Sequence, residues 1–348
     1  MALRLYEYII RRLLLLIFVI LGVTLVVFFL SHVISDPIQL YLSPKNAGNP
    51  AAIAALRHAY GLDQPLPIQY VKYLQGLFTG DWGYSKLAGQ AVYPAIAGRF
   101  PTTLELAIAA VILTIAIGIP LGIVSGVSNG KMADHLSRIF AIVGVSLPVF
   151  WLGLILKIVF FYDFKVWGLP SLPSGGSYDV LLADSLGWHP AITRIPILDA
   201  ILSGNPTMLV DTSAHLILPA ITLAFISIGN ITRIMRSSML EVLRQDYITL
   251  ARSKGLSERV VIYRHALRNA MVPTLTVSGL IFAGLLGGAP ITEFIFQWPG
   301  IGQLSINGIL GGDLSLVLGY VFVTTIIIVV ANLIVDLLYA YMDPRVRL

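Results

Sequence analysis

Six apolar stretches constrain this chain more than any other feature of its sequence. Each is close to the length of about 20 mostly apolar residues that a helix needs to cross a bilayer. Hydrophobic residues make up 57% of the 348 positions and charged residues only 12%, a composition that is foreign to soluble domains. We therefore predict an all-α integral membrane protein with six transmembrane helices. Their approximate bounds are Leu13–Leu30, Leu104–Val124, Ile139–Phe161, Leu216–Ile231, Val272–Ile291 and Leu314–Leu338.

Composition and motif spacing argue against several kinds of site. The sequence contains no cysteine, which rules out disulfides, thiol catalysis and cysteine-bound metals. Its histidines lack ligand spacing, and the only Gly-Lys pair, Gly130–Lys131, precedes Met132 instead of the Ser or Thr of a nucleotide-binding loop. We predict no catalytic residue, cofactor or metal. The basic residues lie mostly beside apolar spans, where they orient helices, so nucleic-acid binding has no support.

The positions of lysine and arginine predict the orientation of the spans. Basic residues are enriched in cytoplasmic flanks. Here they occur at both termini, in the loop after the second span and in the long loop after the fourth. Both termini are therefore predicted to be cytoplasmic. The basic residues used for this prediction, apart from those in the long loop, are Arg4, Arg11, Arg12, Lys131, Arg138, Arg345 and Arg347.

The segments between spans divide the chain into parts. In the first outer loop, Ala51–Tyr60 and Tyr70–Phe78 show helical apolar patterns separated by Gly and Pro. We expect a small folded cap there. The predicted parts are residues 1–31 with the first span, residues 32–100 with the outer cap, and residues 101–348 with the core, which includes an outer loop at 163–214 and a cytoplasmic loop at 233–273.

Glycines at intervals of four predict close helix packing. Gly118, Gly122 and Gly126 recur on the second span, and Gly284 and Gly288 on the fifth. Such spacing lets helix backbones approach one another in lipid, so we expect both sets at helix contacts. Prolines within or at the edges of spans predict kinks or helix starts. They are Pro120, Pro148 and Pro219.

The loop between the fourth and fifth spans has the pattern of a helical hairpin. From Arg236 onward, apolar residues recur three or four positions apart, which predicts an amphipathic helix continuing out of the fourth span. Gly255 is typical of a helix end, and Ser257 followed by Glu258 is typical of a helix start. The second helix should end near Pro273. The apolar stripe consists of Leu240, Leu243, Tyr247 and Leu250.

Spacing alone leaves two interpretations of this basic hairpin. One is an anchor on an anionic membrane surface, and the other is a knob that a cytoplasmic protein grips. Resemblance favours the second interpretation. Tyr247–Leu256 and His265–Ala270, followed by Pro273, resemble the loop by which permease subunits of ABC importers dock onto their ATPases, in particular in the dipeptide, oligopeptide and nickel branch.

Further motifs extend the resemblance over nearly the whole chain. The segment Gly61–Pro65 in the first outer loop is similar to the B-type subunit of that branch. The resemblance implies the fold of a type I ABC importer transmembrane domain, in the cell membrane of a prokaryote. The other matching motifs, in order, include Arg11–Leu14, Asp36–Pro37, Gly80–Gly83, Pro101–Leu106, Leu218–Leu223, Trp298–Gly302 and Met342–Arg345.

The same resemblance implies a set of partners. They are a second six-helix permease subunit that completes a heterodimer, two cytoplasmic ABC ATPase subunits, an extracytoplasmic substrate-binding protein and membrane lipid. ATP hydrolysis would reside in the ATPases, while this chain translocates substrate by alternating access. Di- and oligopeptides are the substrates implied first; nickel chelates and, as in archaeal relatives, oligosaccharides are alternatives. A secondary transporter is a remote alternative, because no inverted repeat is visible.

Docking residues are implied by position within the loop. The general superfamily loop begins Glu-Ala-Ala, but alignment on Gly255 places Thr249 and Leu250 at its first two positions. The acidic first residue is therefore not carried over. The implied docking residues are Tyr247, Leu250, Ala251, Arg252, Lys254, Gly255, Leu256, Ser257, Glu258, His265 and Arg268.

Polar residues within or at the ends of the spans are candidates for a translocation pathway, because polar groups in lipid are costly and often functional. Asn332 lies within the sixth span, and Lys157 and Glu293 lie toward the outer ends of the third and fifth. For each of them, snorkelling, structural pairing or a hydrogen bond between helices is the alternative.

Overall fold

The computed structural model describes residues 5–34, 36–42, 44–45 and 48–342, and the basic residues predicted at 4, 345 and 347 lie outside them. The described chain is mostly helical, with one antiparallel hairpin of β1 (Tyr84–Ser85) and β2 (Gln90–Ala91). Its α-helices, in chain order, are α1 (Leu5–Ile34), α2 (Pro50–Ala59), α3 (Leu66–Thr79), α4 (Val92–Val127), α5 (Met132–Ser146), α6 (Val149–Lys157), α7 (Phe164–Val166), α8 (Val180–Ser185), α9 (Pro196–Leu202), α10 (Pro206–Val242), α11 (Asp246–Ser253), α12 (Glu258–Val260), α13 (Leu267–Leu286), α14 (Pro290–Ile295), α15 (Ile301–Leu310) and α16 (Leu314–Met342). A 3-10 turn covers Pro37–Leu40, and π-helical segments cover Ile158–Asp163 and Val261–Ala266.

Five helices of the described chain are long and apolar enough to cross a membrane, and a bent pair supplies a sixth candidate. The five are α1, α4, α10, α16 and the continuous helix Glu258–Leu286. The pair, Met132–Ser146 and Val149–Val166, is bent by 100°. The break follows from Pro148, which disfavours helical geometry at the preceding residue, and Leu147 is accordingly extended at ψ 130°. The predicted third span is therefore two helical arms.

The centre of the bundle is the crossing of α4 and α10, where the first predicted glycine set is confirmed. Gly118, Gly122 and Gly126 lie against Ile231, Met235 and Met239 of α10. A β-carbon added at Gly122 would lie 2.5 Å from the Met235 β-carbon and 2.9 Å from the Thr232 carbonyl oxygen. The absence of a side chain at these three positions of α4 is what allows the two backbones this approach.

The second predicted glycine set is wrong for Gly284, where an added β-carbon would meet nothing within 4 Å. Gly288 lies beyond the end of α13 with a left-handed φ of +92°, and its close contact is with α15, 3.3 Å from an added β-carbon to the Gly302 backbone nitrogen. The contact between α13 and α16 is made by other glycines. Gly279 packs against Val335, and Gly287 packs against Ile328.

Both helices predicted in the segment after the first span are present, and we call this segment the cap. α2 begins after Asn49, whose side-chain oxygen accepts hydrogen bonds from the backbone N–H groups of Ala51 and Ala52. α3 follows a turn that contains Gly61 and Pro65. The cap is fastened to α1 by polar contacts. The Tyr70 hydroxyl lies 2.9 Å from the Thr24 hydroxyl, and His32 Nε2 lies 2.9 Å from Gln69 Oε1.

Candidate functional site

The hairpin begins with a break that the sequence did not predict. α10 ends at Val242, three residues form a turn, and α11 starts at Asp246. Gln245 precedes α11 with an extended backbone (ψ 148°), and the carboxylate of Asp246 lies in the first turn, where it favours a new helix start. The hairpin therefore contains a separate short helix, α11, set off from the spanning helix α10.

The turn between the two hairpin helices confirms the prediction for Gly255. This glycine has φ +75°, in the left-handed region. Its N–H donates to the Arg252 carbonyl at 2.9 Å, and the Leu256 N–H donates to the Ala251 carbonyl at 3.4 Å. These two bonds form a Schellman motif. Across the turn, Arg252 Nε lies 2.8 Å from Glu258 Oε1.

The second hairpin helix is continuous with the fifth span. Ser257 precedes α12 as expected, although its side chain makes no capping hydrogen bond. Pro273 lies inside α13 instead of at a helix end, so that prediction is wrong. Packing on both sides of the proline holds the helix together: Ala270 and Thr274 are fully buried, and the Thr274 hydroxyl lies 3.3 Å from the Met235 sulfur.

The buried face of α11 differs from the predicted apolar stripe. Ile248 and Ala251 are buried, and they join one apolar cluster with Met235 and Met239 of α10 and Val261 of the returning helix. This cluster continues into the α4–α10 crossing through Ile119 and Ile231. The base of the hairpin is thus packed into the same core as the bundle.

Four large apolar or aromatic side chains of the hairpin remain at the surface. Tyr247 is 40% exposed, Leu250 56%, Leu256 39% and Tyr263 59%. The three on α11 and the turn, together with Gly255, form a surface that we call the hairpin tip and define as Tyr247, Leu250, Gly255 and Leu256. The sequence predicted Tyr247 and Leu250 on one apolar stripe with Leu240 and Leu243 of the preceding helix, but the new start of α11 separates the two pairs.

The other predicted docking residues surround the tip. Only His265 among them is partly buried, and Ala251 belongs to the buried face. The Asn269 side-chain amide donates to the Tyr247 hydroxyl at 2.7 Å and so positions that ring. Sequence reasoning missed Asn269, because no local spacing connects residues 22 positions apart. It missed Ile248 because the predicted pattern assumed one helix from Arg236 onward. The exposed members are Arg252, Lys254, Ser257, Glu258 and Arg268.

Glu293 lies outside the spanning helices, although the sequence placed it by the fifth span. That helix ends at Leu286, and Glu293 is on the short helix α14 with 0% of its surface exposed. Its carboxylate accepts from Thr103 Oγ1 at 3.1 Å, Ala289 N at 3.2 Å and Gln303 N at 3.0 Å. Burial raises the pKa of Glu293 above its ordinary value, and these hydrogen bonds oppose the rise.

The other two pathway candidates lie in different places. Lys157 Nζ donates to the carbonyl of Ile295 at 3.1 Å, so it contacts the same α14 segment as Glu293. Asn332 lines a groove between α1 and α16, beside an ion pair of 2.8 Å between Arg12 and Asp336. The structure therefore brings Lys157 and Glu293 to one segment and leaves Asn332 elsewhere. Their role in translocation stays a prediction.

Comparison with known proteins identifies the family of this chain. Residues 118–348 match the family model of binding-protein-dependent transport system inner membrane components. Residues 5–107 match the N-terminal model that accompanies it. The chain belongs to this family. It is accordingly a permease component of a binding-protein-dependent transporter and a multi-pass membrane protein.

Relatives match this family member over nearly their whole length. The chain is 42% identical over 332 residues, 95% of the chain and 94% of the relative, to the "Probable D,D-dipeptide transport system permease protein DdpB" of Escherichia coli K12. It is 41% identical to the "Dipeptide transport system permease protein DppB" of Alkalihalophilus pseudofirmus, covering 98% of the chain and 99% of the relative. The "Oligopeptide transport system permease protein AppB" of Bacillus subtilis is 35% identical with the same coverage.

One similar solved structure is titled "Crystal structure of an amino acid ABC transporter with histidines". It is 13% identical, with a TM-score of 0.43, and the match covers 80% of this chain and 97% of the other. A likeness at this level adds nothing to the description of the fold given above.

Proposed function

We propose that this chain is the B-type permease subunit of an ATP-driven peptide importer. In this proposal it pairs with a second six-helix permease, two cytoplasmic ABC ATPases and an extracytoplasmic binding protein, with both of its termini in the cytoplasm. The family match and relatives whose names specify dipeptide and oligopeptide transport support it. Nickel chelates and oligosaccharides remain the alternative cargoes.

The observation that carries the docking proposal is the exposed apolar tip of a hairpin whose base is buried. Leu250 is 56% exposed and Leu256 39%, so docking can remove only that share of each side chain from water, which is about half of the 1.5–3 kcal/mol gained by burying a whole leucine. Tyr247 adds a ring whose hydroxyl is already held by Asn269. Apolar side chains that a protein holds rigidly at its surface are suited to a pocket on a partner.

The packing inside the hairpin explains how docking could move the bundle. Ile248 and Ala251 of α11 share a cluster with α10 and with the helix that leads into the fifth span. A displacement of the tip is therefore passed to two spanning helices through close-packed side chains, not through a flexible linker. Inverting an alternating-access equilibrium from 1:99 to 99:1 takes about 5.5 kcal/mol of differential binding.

The docking proposal is tested by introducing a charge at the tip. Leu250→Asp should lower the amount of ATPase that co-purifies with the permease pair, because the substitution removes apolar contact and buries a charge. Leu181→Asp is the matched control, since Leu181 is 81% exposed on α8, in the predicted outer loop. Equal retention of ATPase by both variants would overturn the assignment.

A second variant separates backbone geometry from side-chain contact. Gly255→Asp should abolish transport and substrate-stimulated ATP hydrolysis while the permease pair stays assembled. Space around Gly255 is open, with nothing within 4 Å of an added β-carbon, so the effects are a strained left-handed residue and a new charge. Normal stimulation in this variant would contradict docking through the turn.

Cargo and pathway need separate measurements. The mass of the compound that co-purifies with the cognate binding protein would decide between a peptide, a nickel chelate and an oligosaccharide. For the proposed pathway, Lys157→Gln and Asn332→Ala should each slow uptake in reconstituted vesicles without loss of ATPase docking. Unchanged uptake would assign these two side chains to structural contacts only.

A further inference from the structure

A cavity of about 320 Å³ opens between α5 and α10 at the end of the bundle that carries the hairpin. Its wall has two characters. Three arginines, Arg138, Arg233 and Arg236, lie on it, and apolar side chains including Ile142 and Val145 form the remainder. An apolar wall beside a group of cations is complementary to an anionic amphiphile.

One of the three arginines is neutralised within the protein. Arg236 Nε lies 2.7 Å from Asp134 Oδ1, and its Nη2 lies 3.0 Å from Oδ2. Ser125 Oγ and Gly130 N donate to the same carboxylate at 2.6 Å and 3.0 Å. Asp134 thus has its hydrogen-bonding capacity filled, and it is only 1% exposed. It leaves no carboxylate oxygen open toward the cavity.

The other two arginines supply an uncompensated charge. Among the described residues, none forms an ion pair or a hydrogen bond with the Arg138 side chain. Arg233 makes one long contact, 3.4 Å, from Nη2 to the neutral side chain of Asn230. Guanidinium groups bind phosphate oxygens in a planar, two-point geometry, so this pair is suited to a phosphodiester.

We infer that this cavity binds the headgroup of an anionic phospholipid, with Arg138 and Arg233 on the phosphate and an acyl chain along Ile142 and Val145. The apolar part of the wall supports a lipid over a free anion. Ile142 is 62% exposed and Val145 46% exposed on the side of α5 that borders the cavity, and a soluble phosphate would leave both uncovered. The site does not depend on the hairpin or on the identity of the cargo.

The test is lipid retention by the assembled transporter in detergent, measured by native mass spectrometry after addition of phosphatidylglycerol or phosphatidylcholine. Wild type should retain one phosphatidylglycerol in preference to phosphatidylcholine. Each basic group near a membrane surface contributes about fivefold to the binding of anionic lipid, so Arg138→Gln/Arg233→Gln should weaken retention about 30-fold. The pair Lys131→Gln/Arg244→Gln removes two charges from the same end outside the cavity and should retain the lipid.

Further measurements distinguish a lipid from a soluble phosphate, and a lipid from a protein, as the ligand of this cavity. Glycerol 3-phosphate at the same concentration should not displace the lipid; complete displacement would make this a soluble-anion site and overturn the inference. Ile142→Phe fills the apolar wall without a change in charge and should also lower retention. Because the chain has no cysteine, a cysteine introduced by Ile142→Cys is the only one in this subunit and can be cross-linked to whatever lies beside it. Quantitative cross-linking to the partner permease would show that protein fills the cavity and would overturn the lipid assignment.

Equal loss of lipid from both double variants would show that only net charge matters and would also overturn the inference. Arg138→Lys/Arg233→Lys guards against misfolding, since it keeps both charges and should retain most of the lipid while the Gln pair does not. Retention is measured at equilibrium without ATP. Failure of the importer assignment would therefore leave this result unaffected.

Discussion

Replacement of Gly122 by alanine should destabilise the bundle, although alanine is the better helix former. The added β-carbon would lie 2.5 Å from the Met235 β-carbon, 2.9 Å from its γ-carbon and 2.9 Å from the Thr232 carbonyl oxygen. The Met235 β-carbon and the carbonyl oxygen belong to or are fixed by the α10 backbone, so a change of rotamer does not relieve the contacts. The two helices must separate or the variant must bear strain.

The size of the effect follows from two opposing terms. Overpacking of a close contact costs about 1–3 kcal/mol, and exchange of glycine for alanine inside a helix contributes about 1 kcal/mol in favour. The difference is about 0–2 kcal/mol, and the contacts of 2.5 and 2.9 Å with atoms fixed by the α10 backbone place Gly122→Ala at the upper end, about 2 kcal/mol. Gly118→Ala should be close to neutral, because its nearest contacts are 3.0 Å to the Ile231 side chain. Gly126→Ala, with a nearest contact of 2.6 Å to Met239, should fall between them.

Thermal unfolding of the purified complex, followed by intrinsic fluorescence, measures the predicted order of destabilisation, in which Gly122→Ala exceeds Gly126→Ala and Gly126→Ala exceeds Gly118→Ala. About 2 °C of Tm per kcal/mol is expected for a chain of this size. Gly284→Ala is the matched control: it lies in α13 with nothing within 4 Å, and it should raise Tm slightly through helix propensity. If Gly122→Ala were as stable as Gly284→Ala, the close approach of α4 and α10 would be refuted.

Three further substitutions test other contacts. Asp134→Asn should cost about 3 kcal/mol, because Arg236 loses its buried counter-charge; unfolding of the variant in detergent measures it, and an unchanged Tm would contradict the pairing. A double-mutant cycle on Arg252 and Glu258 should give a coupling below about 1 kcal/mol, because both side chains are largely exposed; a larger value would show that the pair holds the turn. Burial raises the pKa of Glu293, so the folded state favours the protonated form, and the contribution of this group to stability is present at low pH and lost as pH rises through its folded pKa. Glu293→Gln should flatten that part of the stability profile, and an unchanged slope would assign the titration to another group.

Local rules account for much of the hairpin and little of its orientation. Gly255 was predictable because left-handed geometry at a helix end favours a residue without a β-carbon. The outward position of Tyr247 and Leu250 was not, because the amphipathic pattern assumed one helix from Arg236 onward. The break at 243–245 restarts the helical phase, and Ile248 becomes the buried position.

The contacts of buried polar residues are even less predictable from local sequence patterns than the orientation of the hairpin. A buried carboxylate such as Glu293 reads in the sequence as an interfacial charge at the end of a span. Only one of its partners, the Ala289 N–H, is local; the others come from α4 and α15, with Thr103 lying 190 positions away. No periodicity within a window of one helix contains information about such a contact.

Hydropathy and local sequence patterns by themselves predicted that this chain spans a membrane, the positions of five long apolar helices, the break at Pro148, the two helices of the cap and the glycine face of α4. These features follow from the dehydration of apolar side chains and from backbone geometry, and both act within a few helical turns. The outward tip of the hairpin, the burial of Glu293 and the paired Asp134 and Arg236 came from tertiary packing. Each depends on side chains brought together from distant parts of the chain, and their close packing selects one arrangement among several that local patterns allow equally.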